Sequence, residues 1–436
     1  LTVVEKILKM KTSNNNVSEA ISGGIYIRQI FIIFKQMTFI ILILVGFFGC
    51  SAKNKQQSEH IDLPDYKINL EVVTKHWDGE FNWTQARVAA IPGLGRNGQP
   101  RLIMTMQKWF VAHSDYYSGL YTMESNNMGT TWTNPKEQPA LGWRHGEDGV
   151  TIGICDFTPG WHDKTGKVLG VGHTVYYVEG GKLLQNRPRS TAYAVYDPET
   201  DQWSPWNQLK VPDKNKFFNS GSGCGQWLVR SDGSLLVPTY FKAKGDTTNC
   251  YSSTVFHCRF DGEELIYIQH GEELTLDEPR GVYEPSLTSF NGRYYLTLRN
   301  DKKAYVTVSD DAMRWQPIRP WIFDNGQELG SYNTQQHWAV HSDALFLVYT
   351  RRGANNDHIP RSRAPLFMVG VDPDRLLALK ETERLLIPER GVMMGNFGVS
   401  CITKKETWVT VGENMHPPEN LNMGADGSVF AARIIW

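Results

Sequence analysis

Histidines and tyrosines stand where short apolar runs end, and these side chains can exchange protons near neutral pH or at a tuned pKa. His145 lies in Trp143-Arg144-His145-Gly146, and His173 in Gly172-His173-Thr174. Tyr240 closes the run Ser234–Tyr240, and Tyr283 directly precedes Glu284. Tyr332 and His337 share the polar and aromatic stretch Ser331–Trp338. A neutral imidazole or a phenol can take a weakly acidic proton, and a second such group can protonate a leaving oxygen. For every one of them the plain alternative is packing between strands or facing solvent.

Cysteine offers a second chemistry. Beyond Cys50 there are Cys155, Cys224, Cys250, Cys258 and Cys401. Cys250 and Cys258 are eight apart in a strand-like run, so their side chains share a face. With His257 and Cys224 they have the donor types of a zinc site, but the spacing fits no standard motif. Buried thiols are the simpler reading, with a structural metal ion left open and no cofactor required.

The elements that must carry these groups read as strands. From about Asp62 onward no helical period persists beyond two turns, and runs rich in Val, Ile, Tyr, Phe and Thr alternate with Gly, Asn and Asp turns. Such runs are Arg101–Met106, Lys167–Val171, Ser234–Tyr240, Arg293–Arg299 and Ala344–Thr350. Asp232-Gly233 and Asn291-Gly292 precede two of them, as tight hairpin turns require. The run spacing is that of a repeated four-stranded blade, which predicts an all-β, six- or seven-bladed β-propeller over residues 62–436 as a single domain. The 45 basic and 46 acidic residues nearly cancel, which points away from nucleic acid. The 14 Trp and 18 Tyr suit a large core and stacking on sugar rings.

Residues 38–49 form an uncharged apolar run that ends at Gly49-Cys50 and is followed by Ser51-Ala52-Lys53. That is the pattern of a lipoprotein signal acylated at Cys50, in an exported, membrane-anchored protein, with 51–61 as a linker. A cleaved signal or a plain anchor is the alternative. Residues 1–36 read as upstream of the true start.

Ser125-Asn126-Asn127-Met128-Gly129-Thr130-Thr131-Trp132 matches S-x-D-x-G-x-T-W with Asn for Asp, and Ser309–Trp315 is a shorter copy. With these boxes the chain resembles the sialidase superfamily of propellers over residues 80–436. The resemblance implies that Glu284-Pro285-Ser286 and Arg299 carry a glutamate and the second arginine of a carboxylate-binding triad. It places the first at Arg87 and the third at Arg351 or Arg352. Planar guanidinium forks bind a sugar carboxylate bidentately. The family's last-blade tyrosine nucleophile has no counterpart in Gly395-Asn396-Phe397-Gly398, and Asp115 matches its acid by position only.

The His and Tyr set resembles instead the propeller uronate lyases of ulvan type. That resemblance implies β-elimination across a uronic acid in a polysaccharide or oligosaccharide. Arg299, Arg87, Arg352, Glu284 and Tyr332 would hold the substrate. His173, His145, Tyr283, Tyr240 and His337 would supply base and acid. The alternatives are a dehydratase releasing water from a terminal uronate, a sialidase-like hydrolase on an acidic sugar, and a glycan-binding lipoprotein without turnover. The expected partners are an anionic saccharide and a lipid anchor, on a monomer.

Overall fold

The computed structural model describes residues 61–146, 149–415 and 421–436. The apolar run 38–49, Cys50 and most of the linker lie outside them. The chain divides at Asp62, and Asp62–Trp436 is one unit. No described helix is long and apolar enough to cross a membrane. Every described helical segment is a single 3-10 turn.

The strands form six sheets of four to six strands. Each sheet is one blade of a six-bladed propeller, and its second strand is the run legible in the sequence. These second strands are Arg101–Phe110, Lys167–Tyr177, Leu235–Lys242, Arg293–Arg299, Leu345–Tyr349 and Glu406–Gly412. Only the last was not foreseen. They read as continuous apolar runs because both of their faces are buried. Successive residues point to opposite faces. Leu235 and Val237 pack toward the second blade, while Leu236 between them packs toward the fourth.

The core is therefore not a single mass. Six apolar clusters each fill one seam between neighbouring blades. A buried Leu, Val or Phe contributes about 1.5–3 kcal/mol in such a seam. The last seam is closed across the chain's two ends. Lys67–Lys75 pairs antiparallel with Ser428–Ile435 as the outer strand of the sixth blade. Arg433 straddles the join, donating to Glu406 at 2.6 Å and to Glu71 at 3.1 Å.

The boxes sit at the same place in two blades, directly after the third strands Tyr117–Ser125 and Tyr305–Ser309. In the first, Ser125 Oγ accepts from the Gly129 amide at 2.8 Å, and Asn127 Oδ1 accepts from the Thr131 amide at 2.9 Å. In the second, Asp311 accepts the amides of Met313 and Arg314, both at 2.8 Å. Gly129 has φ +79°, and a Cβ there would lie 2.5 Å from the ring of Trp408 in the sixth blade. The first box thus holds a seam as well as a turn. Gly129→Ala combines backbone strain with overpacking and should cost about 1–3 kcal/mol, read as a lower urea midpoint with unchanged slope. Wild-type stability would show that the Trp408 contact does not matter.

Candidate functional site

The inner strands of the first, second and fourth blades each carry a bulge at the same level. Pairing with the second strand skips between Thr84 and Arg87, between Cys155 and Thr158, and between Tyr283 and Ser286. The first skipped residue is left-handed in each case: Gln85 at φ 56°, Asp156 at 54° and Glu284 at 45°. Cys224, at φ 61°, occupies the break in the third blade's inner strand. Non-glycine residues in this conformation carry strain that persists only where the surroundings enforce it. The amides are held in a chain, Asp156 to Gln85 Oε1 at 2.5 Å and Cys224 to the Asp156 carbonyl at 3.3 Å.

The bulges turn side chains into a cavity of about 620 Å³ at the mouth of the central funnel. Opposite the residue before each bulge, the second strand presents Gln107, His173 and Arg299. Blade two therefore sets Asp156 against His173, at 3.6 Å, and blade four sets Glu284 against Arg299 in an ion pair. The same device gives two differently charged pairs.

Around Glu284 the charges are dense. Arg299 also donates to Asn333 Oδ1 at 2.7 Å, and Arg363 donates to the Asn333 carbonyl at 2.6 Å. Burial, and then the neighbouring charges of Arg299 and Arg361, lower the Arg363 guanidinium to about 10. Tyr283 donates to Asp301, with Arg299 and Arg280 over its ring at 4.5 and 4.6 Å. Burial pushes its hydroxyl up to about 12.

Around Asp156 the setting differs. Burial raises its carboxyl above the usual range, opposed by Arg87, whose Nη2 lies 3.8 Å away. Burial, followed by the charges of Arg189, Arg187 and Arg87, holds His173 neutral. Its ring meets Tyr240 edge-on at 6.1 Å, and the Tyr240 hydroxyl accepts from Arg189. Gly223 makes this crowding possible, because a Cβ there would fall 2.3 Å from His173 Nδ1 and 2.6 Å from the Asp156 Cβ. Cys155, Asp156 and His173 have ligand-type atoms within 4.8 Å of one another. Three arginines beside them oppose a cation and favour an anion.

Of the residues expected from the sequence, the cavity brings together His173, Tyr240, Tyr283, Glu284 and Arg299. Asp115 lines it too, accepting from Tyr117 at 3.0 Å. Arg87 is buried behind Asp156, with neither terminal nitrogen hydrogen-bonded among the described residues. His337 is buried on Ser286 at 2.9 Å and against Phe397 at 4.9 Å, away from the cavity lining. Phe397 itself is fully buried. With Arg87 and His337, three further expectations do not line the cavity. His145 is exposed on a short edge strand, bonded to Thr151. Arg352 lies over the Tyr332 ring at 4.1 Å, and neither lines the cavity. Arg351 is committed to Glu383 at 2.8 Å, so Arg363 takes the place in the cavity expected of a third arginine. The zinc alternative dissolves, since Cys258 lies in a seam with its thiol pushed up to about 12 by burial, while Cys224 is at the cavity.

The sequence reading passed over Asp156, Arg187, Arg189, Arg280 and Asn333. A signal existed for Asp156, a lone charge inside the apolar run Ile154–Phe157.

The buried neutral histidines set a pH dependence. Burial holds His337 down at about 3. Below about pH 6.5 the unfolded chain binds protons that the native rings refuse, so stability falls as pH drops, by about 1.4 kcal/mol per pH unit per histidine. The raised Asp156 carboxyl works in the opposite sense. Urea unfolding of His337→Gln should lose about 2 kcal/mol less than wild type between pH 6.5 and 5. Equal losses would refute a neutral His337.

No family model matches this chain, and no curated protein does either. Solved structures do. A Trypanosoma rangeli sialidase matches with TM-score 0.52 and 12% identity over 85% of this chain and 60% of that one. Hadza microbial sialidase Hz136 gives 0.55 and 12% over 81% and 65%. Phage phi92 endosialidase gives 0.53 and 11% over 85% and 69%. The chain thus spans less than two thirds of the length of the first two, and at these identities the likeness is one of fold.

Proposed function

We propose that this chain is a carbohydrate-active enzyme that hydrolyses the glycosidic bond of an acidic sugar bound in the funnel. The observation that carries this reading is the pair of carboxyl groups on equivalent bulges, Asp156 and Glu284, inside an arginine-rich cavity. Six arginines and four carboxylates line it, an excess of positive charge suited to an anionic ligand. Arg299 and Arg363 hold the sugar's carboxylate, with Asn333 fixing both guanidinium groups.

Glycoside hydrolysis needs one carboxyl group that gives a proton and one that acts on the anomeric carbon or on water. Asp156 has the character of the acid, because burial favours its protonated form. Glu284, ion-paired to Arg299, is its partner. Phe397 carries no hydroxyl, so the last-blade tyrosine that the sequence resemblance implies has no role here. The likeness to sialidase structures supports a hydrolase on an acidic sugar over the uronate lyase expected from the residue types.

One observation favours elimination as a second reading. His173 is neutral and lies edge-on to Tyr240, a base and an acid in contact, with Arg189 at hand to hold a carboxylate. The two readings differ in product: elimination leaves a double bond that absorbs in the ultraviolet, and hydrolysis does not. The signal pattern ending at Cys50 supports placing either activity in an exported, lipid-anchored protein.

Acidic oligosaccharides should yield new reducing ends without ultraviolet absorbance. Asp156→Asn and Glu284→Gln should each lower kcat by about 10²–10⁴-fold, while His173→Gln retains most of it. Absorbance that depends on His173 would select elimination instead. Binding without any product would leave a glycan-binding protein.

A further inference from the structure

Among the described residues Arg187, Arg189, Arg361 and Arg363 of the cavity form no salt bridge, and the first two stand side by side. Arg187 and Arg189 flank Pro188 in Gln185-Asn186-Arg187-Pro188-Arg189-Ser190. The proline keeps this segment extended, so residues two apart project to the same side. The Arg189 backbone is fastened to the third blade, its amide donating to the Phe218 carbonyl at 3.1 Å and its carbonyl accepting from Ser220 at 3.0 Å. Arg189 then reaches Tyr240, and Arg187 donates to the Leu184 carbonyl at 3.2 Å.

Three arginines elsewhere in the fold are neutralised: Arg299 by Glu284, Arg351 by Glu383, Arg433 by Glu406. Among the described residues neither Arg187 nor Arg189 forms a salt bridge, and the Nε atom of each is buried without a hydrogen-bond partner. Burial and the adjacent Arg189 charge both work against the charge on Arg187. Arg187, partly buried beside Arg189 and without a carboxylate partner, is costly in the free protein. An arriving anion removes that cost and gains charge-assisted hydrogen bonds.

Across the cavity Arg363 is also short of negative charge, with only the Asn333 carbonyl as acceptor and Arg299 and Arg361 nearby. Between the two centres runs a belt of rings, Tyr240 to Tyr251 at 5.4 Å and Tyr251 to Tyr283 at 5.9 Å. A volume of about 620 Å³ accommodates more than one sugar ring.

We propose that Arg187 and Arg189 form a second anion subsite, so that the substrate is a saccharide with acidic groups on neighbouring units, one held at Arg299 and Arg363 and the next, a sulfate ester or a carboxylate, at Arg187 and Arg189. The proposal rests on reading the cavity as a saccharide site.

Inorganic sulfate is the first probe, titrated calorimetrically at fixed ionic strength. The wild-type chain should bind two sulfates, Arg187→Gln/Arg189→Gln one, and Arg363→Gln one. A single sulfate in wild type, or two in the double variant, overturns the proposal. Arg187→Gln alone, at a partly buried position, gives an independent reading if the double variant fails to fold. It should raise Tm in sulfate-free buffer by relieving repulsion, and weaken one of the two sulfates roughly tenfold. A lower Tm with unchanged sulfate binding counts against the subsite. Kinetics with an unsulfated uronate–neutral disaccharide, its sulfated form and a di-uronate then name the source. A lower KM for the sulfated or the dicarboxylate sugar, erased in Arg187→Gln, assigns the group, and no preference for either overturns the proposal. Two bound sulfates with no turnover of any acidic saccharide would sink the enzyme reading and leave the subsite standing. Turnover with one bound sulfate does the reverse.

Discussion

Everything at the funnel depends on one backbone constraint, the left-handed bulge at the top of an inner strand. A regular strand would send alternate side chains into the two seams, where a carboxylate could not be tolerated. The bulge spends one strained residue to swing an acid toward the cavity, opposite a basic or polar group on the second strand. In blade two this sets Asp156 beside His173, and in blade four Glu284 beside Arg299. In blade one the same geometry holds neutral Gln85 and Gln107. Pseudo-symmetry of the scaffold thus supplies equivalent sockets, and the residue in each decides its charge.

Such sockets need a stiff frame. Strain at three bulges and at Cys224, buried guanidinium groups and neutral histidines all oppose folding to some degree. The six seams outweigh them, each built from strands buried on both faces. Closure matters as much as packing, because an open ring would leave two sheet edges and one unfilled seam. The pairing of Lys67–Lys75 with Ser428–Ile435 removes that defect, and Arg433, Glu71 and Glu406 reinforce it.

The floor beneath the cavity shows how fold and chemistry separate. Phe397 and His337 pack edge to face away from the cavity lining, and Ser286 donates to Gln226 Oε1 there at 3.0 Å. Phe397, His337 and Ser286 are core. Reactive groups are concentrated instead toward blades two to five, between Asp156 and Arg363, where carboxyl, guanidinium and phenol groups face one another across the opening.

The sequence by itself determined the strands, the hairpin turns and the boxes, because these rest on local rules: two-sided burial makes a continuous apolar run, and Asn291-Gly292 at φ 47° and 76° makes a tight turn. It also pointed to Tyr283, Glu284 and Arg299, which adjoin one strand pair. Tertiary structure decided the rest. Asp156 and Glu284 are 128 positions apart in the chain, and only the ring brings their blades around a common cavity. Arg352 and Arg363 are both arginines in one loop region, yet one lies on Tyr332 outside the cavity and the other enters it. His145 and His173 both follow apolar runs, yet one is exposed and the other buried among arginines. Type and spacing name the groups that can act, but which of them share a cavity depends on long-range packing, and that is settled only when the last strand meets the first.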